Sequence, residues 1–173
     1  MVKVKKIEYP NNRFEECLQA VKVLIEKLGG EASRPDSFAS HLGHSNSKSG
    51  TFIVKVGDMR KYGLLEKRGG IKATELAQKL SNPLNELERQ QALNQSIFSV
   101  DLWRKLYEKF GQNVPSAENF WGCIVEVTDV DRATAIKEAD KIRKLYIEAM
   151  SFYKEANKMF NQSPSRTIMQ EST

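Results

Sequence analysis

At 173 residues the chain has the length of one ordinary domain, or of a small domain with an appendage. Apolar residues at 40%, charged residues at 28% and a mean hydropathy of −0.52 exclude collagen-like, low-complexity and disulfide-scaffold classes. The net charge of +5 is concentrated: residues 44–72 hold seven basic residues against two acids, Asp58 and Glu66, and the remainder balances at twenty against twenty.

In chain order, residues 1–8 form a basic arm or strand, and a first helix is expected over 12–28. There Phe14, Cys17, Leu18, Val21, Leu24, Ile25 and Leu28 recur at helical spacing, opened by Asn12 with Glu15 as a capping pair and closed by Gly29-Gly30. Ser33, Pro35 and Asp36 start a short second helix that stops at Gly43. A third, over about 49–62, buries Phe52, Val56 and Met59, with Ile53 beside them. Its wheel turns Gly50, Thr51, Val54, Gly57, Asp58 and Lys61 outward. Leu64-Leu65, a Gly69-Gly70 turn with positive φ, and the return 71–74 then read as a β-hairpin.

Three helices followed by a hairpin is the order of a winged helix-turn-helix, expected over 9–80, and the basic cluster falls on its third helix and wing. The blocks Leu42-Gly43, Ser49-Gly50-Thr51-Phe52, Tyr62-Gly63-Leu64-Leu65, Ala73-Thr74-Glu75-Leu76 and Asn82-Pro83 resemble an uncharacterised prokaryotic family with a winged-helix-like amino-terminal half, over about 9–146. The resemblance implies a fold and carries no activity.

The rest, 83–160, reads as a helical domain, which makes the chain mainly α. Thr74 caps a short helix that Asn82-Pro83 breaks, and a weakly amphipathic segment runs from Leu84 to Gln95. An aromatic stripe of Phe98, Trp103, Tyr107 and Phe110 ends at Gly111. Pro115-Ser116 opens a helix bearing Phe120, Trp121 and Ile124. Asp129 or Asp131 caps a last helix over about 131–160, on the order of 45 Å long. Its apolar face, with Ile142, Tyr146, Ala149, Tyr153 and Phe160, is wide enough to suggest a homodimer seam. Residues 161–173 lack periodicity and read as a disordered tail.

Catalytic and metal chemistry find no pattern. His41 and His44 with Cys17 or Cys123 are too sparse for zinc, both cysteines sit in apolar-periodic surroundings that mark them as core, and neither glycine pair lies in a phosphate loop. No cofactor is expected. No apolar run spans a membrane and the basic start leads into no signal-peptide core, so a cytoplasmic protein is expected.

Double-stranded DNA is the expected partner, in the manner of a transcription regulator. Ser47, Lys48, Ser49, Thr51, Val54, Lys55 and Lys61 would act from the third helix, and Lys67, Arg68 and Lys72 from the wing. The alternative is a winged-helix module that binds protein instead, which an outward Asp58 favours, because a carboxylate is unwelcome against phosphates.

Overall fold

A computed structural model describes residues 6–155. The fold is mainly helical, with a small two-stranded antiparallel sheet. Helix α1 (Phe14–Leu28) ends in a left-handed Gly29. Strand β1 (Glu31–Ala32) follows, then α2 (Pro35–His41), with proline in its first turn, and α3 (Gly50–Lys61). Strand β2 (Ile71–Lys72) pairs with β1 in the register Glu31 to Lys72 and Ala32 to Ile71.

The expected hairpin is present in its backbone contacts. Leu65 bridges Ala73, the Glu66 N–H donates to the Lys72 carbonyl at 2.9 Å, and the Thr74 N–H donates to the Leu64 carbonyl at 3.1 Å. Segment 64–66 therefore flanks β2 on the side away from β1. Of the glycine pair, only Gly69 takes positive φ, +81°. Strand β1 has no counterpart in the sequence reading, since two residues carry no periodicity; it exists because β2 offers it a partner.

Five more helices follow: α4 (Glu75–Ser81), capped by the Thr74 side chain, α5 (Glu86–Ile97), capped by Asn85, α6 (Asp101–Phe110), α7 (Phe120–Thr128) and α8 (Arg132–Met150). Asp131 caps α8 by accepting from the Thr134 N–H, whereas Asp129 closes α7 in the left-handed conformation at φ 60°. The helix expected from Pro115-Ser116 starts only at Phe120.

The terminal helix is shorter than its sequence suggests. It has 19 residues, about 28 Å, and the chain turns at Ser151 and Phe152. The physical reason is competition for backbone groups. The Gln90 side chain donates to the Phe152 carbonyl at 2.8 Å, Asn94 donates to the Lys154 carbonyl at 2.7 Å, and the Phe152 ring stacks edge-on against Phe14. Segment 152–155 is thus strapped across α5, with Tyr153 against Phe98 and Tyr107.

One hydrophobic core runs through both halves, so segments 9–80 and 83–160 do not have separate interiors. Helix α1 touches α2, α3, α4, α8 and β1. Tyr62, fully buried with its ring 4.7 Å from that of Phe14, joins the halves two ways: its hydroxyl accepts from the Trp103 indole at 2.9 Å, and its carbonyl accepts from Ser96 at 2.6 Å. Cys17 and Cys123 are buried free thiols, as their apolar surroundings indicated, and burial pushes both upward in pKa.

Ile142, Tyr146 and Ala149 are taken up by this same core, each at most 2% exposed. Tyr146 packs on Trp103 and donates to the Gly111 carbonyl at 3.2 Å. The seam read from these residues is therefore filled by the chain itself, because α7 and α1 cover the face that the sequence left unassigned. Tyr153 is half-buried on α6, and Phe160 lies outside the described residues, as do 161–173 and the first five residues of the arm.

Candidate nucleic-acid interface

Helix α3 is held from beneath by Phe52, Val56 and Met59, which face the core. Its entry loop is closed by Asp36: the Ser47 N–H donates to Asp36 Oδ1 at 2.7 Å, and the bonds from Ser47 keep that carboxyl below its usual range. Ser47 is thereby engaged within its own loop. In the first turn, Ser49 Oγ meets Thr51 Oγ1 at 2.9 Å, and Thr51 Oγ1 meets His44 Nδ1 at 3.2 Å. The Ser49 side chain does not cap the helix.

Asp58 corrects the sequence reading. It is fully buried, and its Oδ2 accepts from the Asn11 N–H at 2.9 Å and from the Asn12 N–H and Asn12 Nδ2, both at 2.7 Å. A buried carboxylate is costly unless donors surround it, and three are supplied here by the segment leading into α1. The helical wheel places Asp58 outward correctly, but that segment crosses the helix at this point and covers it. Lys141 fixes the crossing by donating to Asn11 Oδ1 at 2.6 Å, and Tyr9 docks beside Trp103 with its hydroxyl on Glu138, which together with burial raises its pKa to about 12.

Asn12 consequently does not cap α1. Arg13 occupies the cap position without a side-chain bond, and the free N–H groups of Phe14 and Glu15 are taken by Glu148 of α8, at 2.6 and 3.0 Å. Burial raises the Glu148 pKa, against the pull of these two donors.

The remaining candidates separate by environment. Lys48, Thr51, Val54, Lys67, Arg68 and Lys72 are exposed. Lys55 turns aside, lining a groove with Arg13, Glu15, Glu16 and His41 between α1 and α2. Lys61 lines a cleft of about 300 Å³ with Glu8, Arg60, Lys67 and Asp101. Lys72 lies directly across from Glu31 in the sheet, which offsets part of its charge.

Two residues outside the expected set shape this surface. Arg60 donates from Nε to the Glu66 carbonyl at 3.1 Å and from Nη2 to the Gly69 carbonyl at 3.3 Å, tying loop 66–70, and with it Lys67 and Arg68, to the end of α3. No sequence spacing announces such a contact. Ile53, which the sequence placed beside the buried face, is 57% exposed, and Val54 is 41% exposed. Gly57 stands on the same side; a Cβ there would meet nothing within 4 Å. Glycine inside a helix costs about 1 kcal/mol relative to alanine, and neither its backbone nor its neighbours require it here.

Among the described residues no group of three His, Cys, Asp or Glu side chains could hold a metal ion, and no helix is long and apolar enough to cross a membrane. Comparison with known proteins returns no matching family model, no matching curated protein and no matching solved structure.

Proposed function

We propose that the chain binds double-stranded DNA as a winged helix-turn-helix of regulator type, with the open face of α3 toward the major groove and loop 66–70 on the flanking backbone. One observation supports the reading most. Within residues 44–72 Asp58 is covered and hydrogen-bonded by the segment at Asn11 and Asn12, which leaves Glu66 as the only exposed acid among exposed Lys48, Lys67, Arg68 and Lys72. The objection that an outward carboxylate raised is thereby removed. The order helix, strand, helix, helix and hairpin, with β2 between β1 and segment 64–66, supports the same reading.

Phosphate contacts displace counterions, so affinity falls with salt by a slope of roughly 0.9 per contact. Fluorescence anisotropy with random duplex DNA at about 50 and 200 mM salt measures this slope. Lys67→Ala with Arg68→Ala should weaken binding to all sequences alike and reduce the slope by about 1.8. An unchanged slope would remove loop 66–70 from the interface, and no binding at the lower salt would end the reading.

A second reading, a protein-binding module on the same surface, is favoured by the exposure of Ile53 and Val54, since apolar side chains facing solvent together mark contact surfaces of several kinds. Salt-insensitive capture of a protein, without duplex binding, would select it.

A further inference from the structure

We propose that α3 reads the methyl groups of thymine, through Ile53 and Val54; this deepens the DNA-binding reading and rests on it. No asparagine or glutamine occurs in the helix, and its one arginine, Arg60, is turned to the loop, with Nε and Nη2 on the carbonyls of Glu66 and Gly69. Thr51, the remaining outward hydroxyl, is engaged with Ser49 and His44. Apart from Lys61 at its last turn, the outward face supplies little for hydrogen-bonded readout of base edges, whereas the apolar feature that the major groove offers is the thymine C5 methyl.

What the face does present is Ile53 and Val54, adjacent in sequence and 57% and 41% exposed. Gly57 lies one turn beyond Ile53, with open space where a side chain would stand. The helix would be more stable with alanine there, so the vacancy serves a body that approaches from outside. Charge decides which body. Lys48 precedes the helix, Lys67 and Arg68 are pinned at its far end by Arg60, and Asp58 is covered by the segment at Asn11 and Asn12. An apolar strip between cations, with no exposed acid on α3 itself and Glu66 alone beside Lys67, complements a duplex, whose groove floor carries methyl groups and whose edges carry phosphates.

Uracil differs from thymine only in the missing methyl, so the test uses two random-sequence duplex pools, one synthesised with thymine and one with uracil, competing for limiting full-length protein. Burying one methyl group corresponds to about a fourfold change in binding. The thymine pool should be retained about fourfold or more over the uracil pool, and Ile53→Ala with Val54→Ala should bring its retention down to the uracil level. Equal retention of the two pools by the unaltered chain overturns the methyl reading while leaving DNA binding in place; failure to retain either pool overturns both.

Gly57→Ala supplies a second measurement with opposite signs. The melting temperature should rise by about 2–4 °C as the helix gains a better former, while the preference for thymine over uracil falls. A variant that melts lower, or that keeps the full preference, contradicts the role given to the open space at Gly57.

Discussion

Helices α3 and α8 both carry apolar residues beyond the stripe that one neighbour covers, and they differ in how much of that width the chain itself buries. On α8, Ala135, Ala139, Ile142, Leu145, Tyr146 and Ala149 are buried within the chain, Ile136 and Ile147 alone among its large apolar side chains stay 48% and 40% exposed, and the helix stops where side chains of α5 claim the following backbone. On α3, Phe52, Val56 and Met59 go inward, while Ile53 and Val54 stay in solvent beside an unfilled glycine position. The contrast teaches that apolar width in a sequence does not identify a partner surface. A wide face is consumed internally when later elements pack on it, whereas Ile53 and Val54 on the narrower one are covered by nothing among the described residues.

The contrast can be broken first at Ile142. Because this side chain is fully buried, Ile142→Ala should cost about 2–5 kcal/mol, and the loss should be the same at every protein concentration. Urea unfolding at two concentrations tenfold apart checks it. A loss that shrinks as the protein is concentrated would return Ile142 to an intermolecular seam.

Next comes Asp58. Removing the carboxylate in Asp58→Ala leaves the Asn11 and Asn12 donors without their acceptor and opens a buried site, an expected loss of about 3 kcal/mol in equilibrium unfolding. A change below about 0.5 kcal/mol, the range of ordinary surface substitutions, would mean that the carboxylate is exposed in solution, as the helical wheel alone suggests.

The smallest effect concerns Glu148. Glu148→Ala removes the acceptor from two N–H groups at the start of α1 and should cost about 1–2 kcal/mol. Its pH dependence has a definite sign. The folded-state pKa is raised, so the native chain binds the proton more readily than the unfolded one, and the group's contribution to stability is greatest below the unfolded value and is lost as pH rises through the folded value. Relative to Glu148→Gln, which does not titrate, the unaltered chain should therefore gain ground as the pH is lowered from 7 toward 4. Unfolding curves at both pH values decide this, and the opposite trend would show that the two N–H donors outweigh burial.

Much of this architecture was readable from residues close in sequence. The apolar spacing of α1 with Gly29 behind it, Pro35 at the start of α2, Thr74 before α4 and Asp131 before α8 each act on their own turn of helix, and the structure has these signals at work. Asn12 looked like the same kind of signal and is not, because its side chain and its N–H both go to Asp58, 46 residues away. The site shows the same division. Exposure of Lys48, Thr51, Val54, Lys67, Arg68 and Lys72 follows from local pattern, while the covering of Asp58 depends on which distant segment crosses α3, the sideways turn of Lys55 on the packing of α1 and α2 beside it, and the tie made by Arg60 on the path of the loop that follows. Periodicity describes a helix in isolation and is silent about what passes over it.

The bond from Glu148 to the Phe14 N–H spans 134 residues, and this separation has a meaning during synthesis. At about 5–20 residues per second, the start of α1 is added to the chain roughly 7–27 s before the side chain that caps it. Until then α1 has its amino end open and the Phe14 ring lacks its Phe152 neighbour. The amino-terminal half therefore waits for the last helix to be completed. A chain interrupted before α8 would carry the whole basic surface on a foundation still lacking its final fastening, so a truncated product would be an early substrate for degradation rather than a miniature version of the protein.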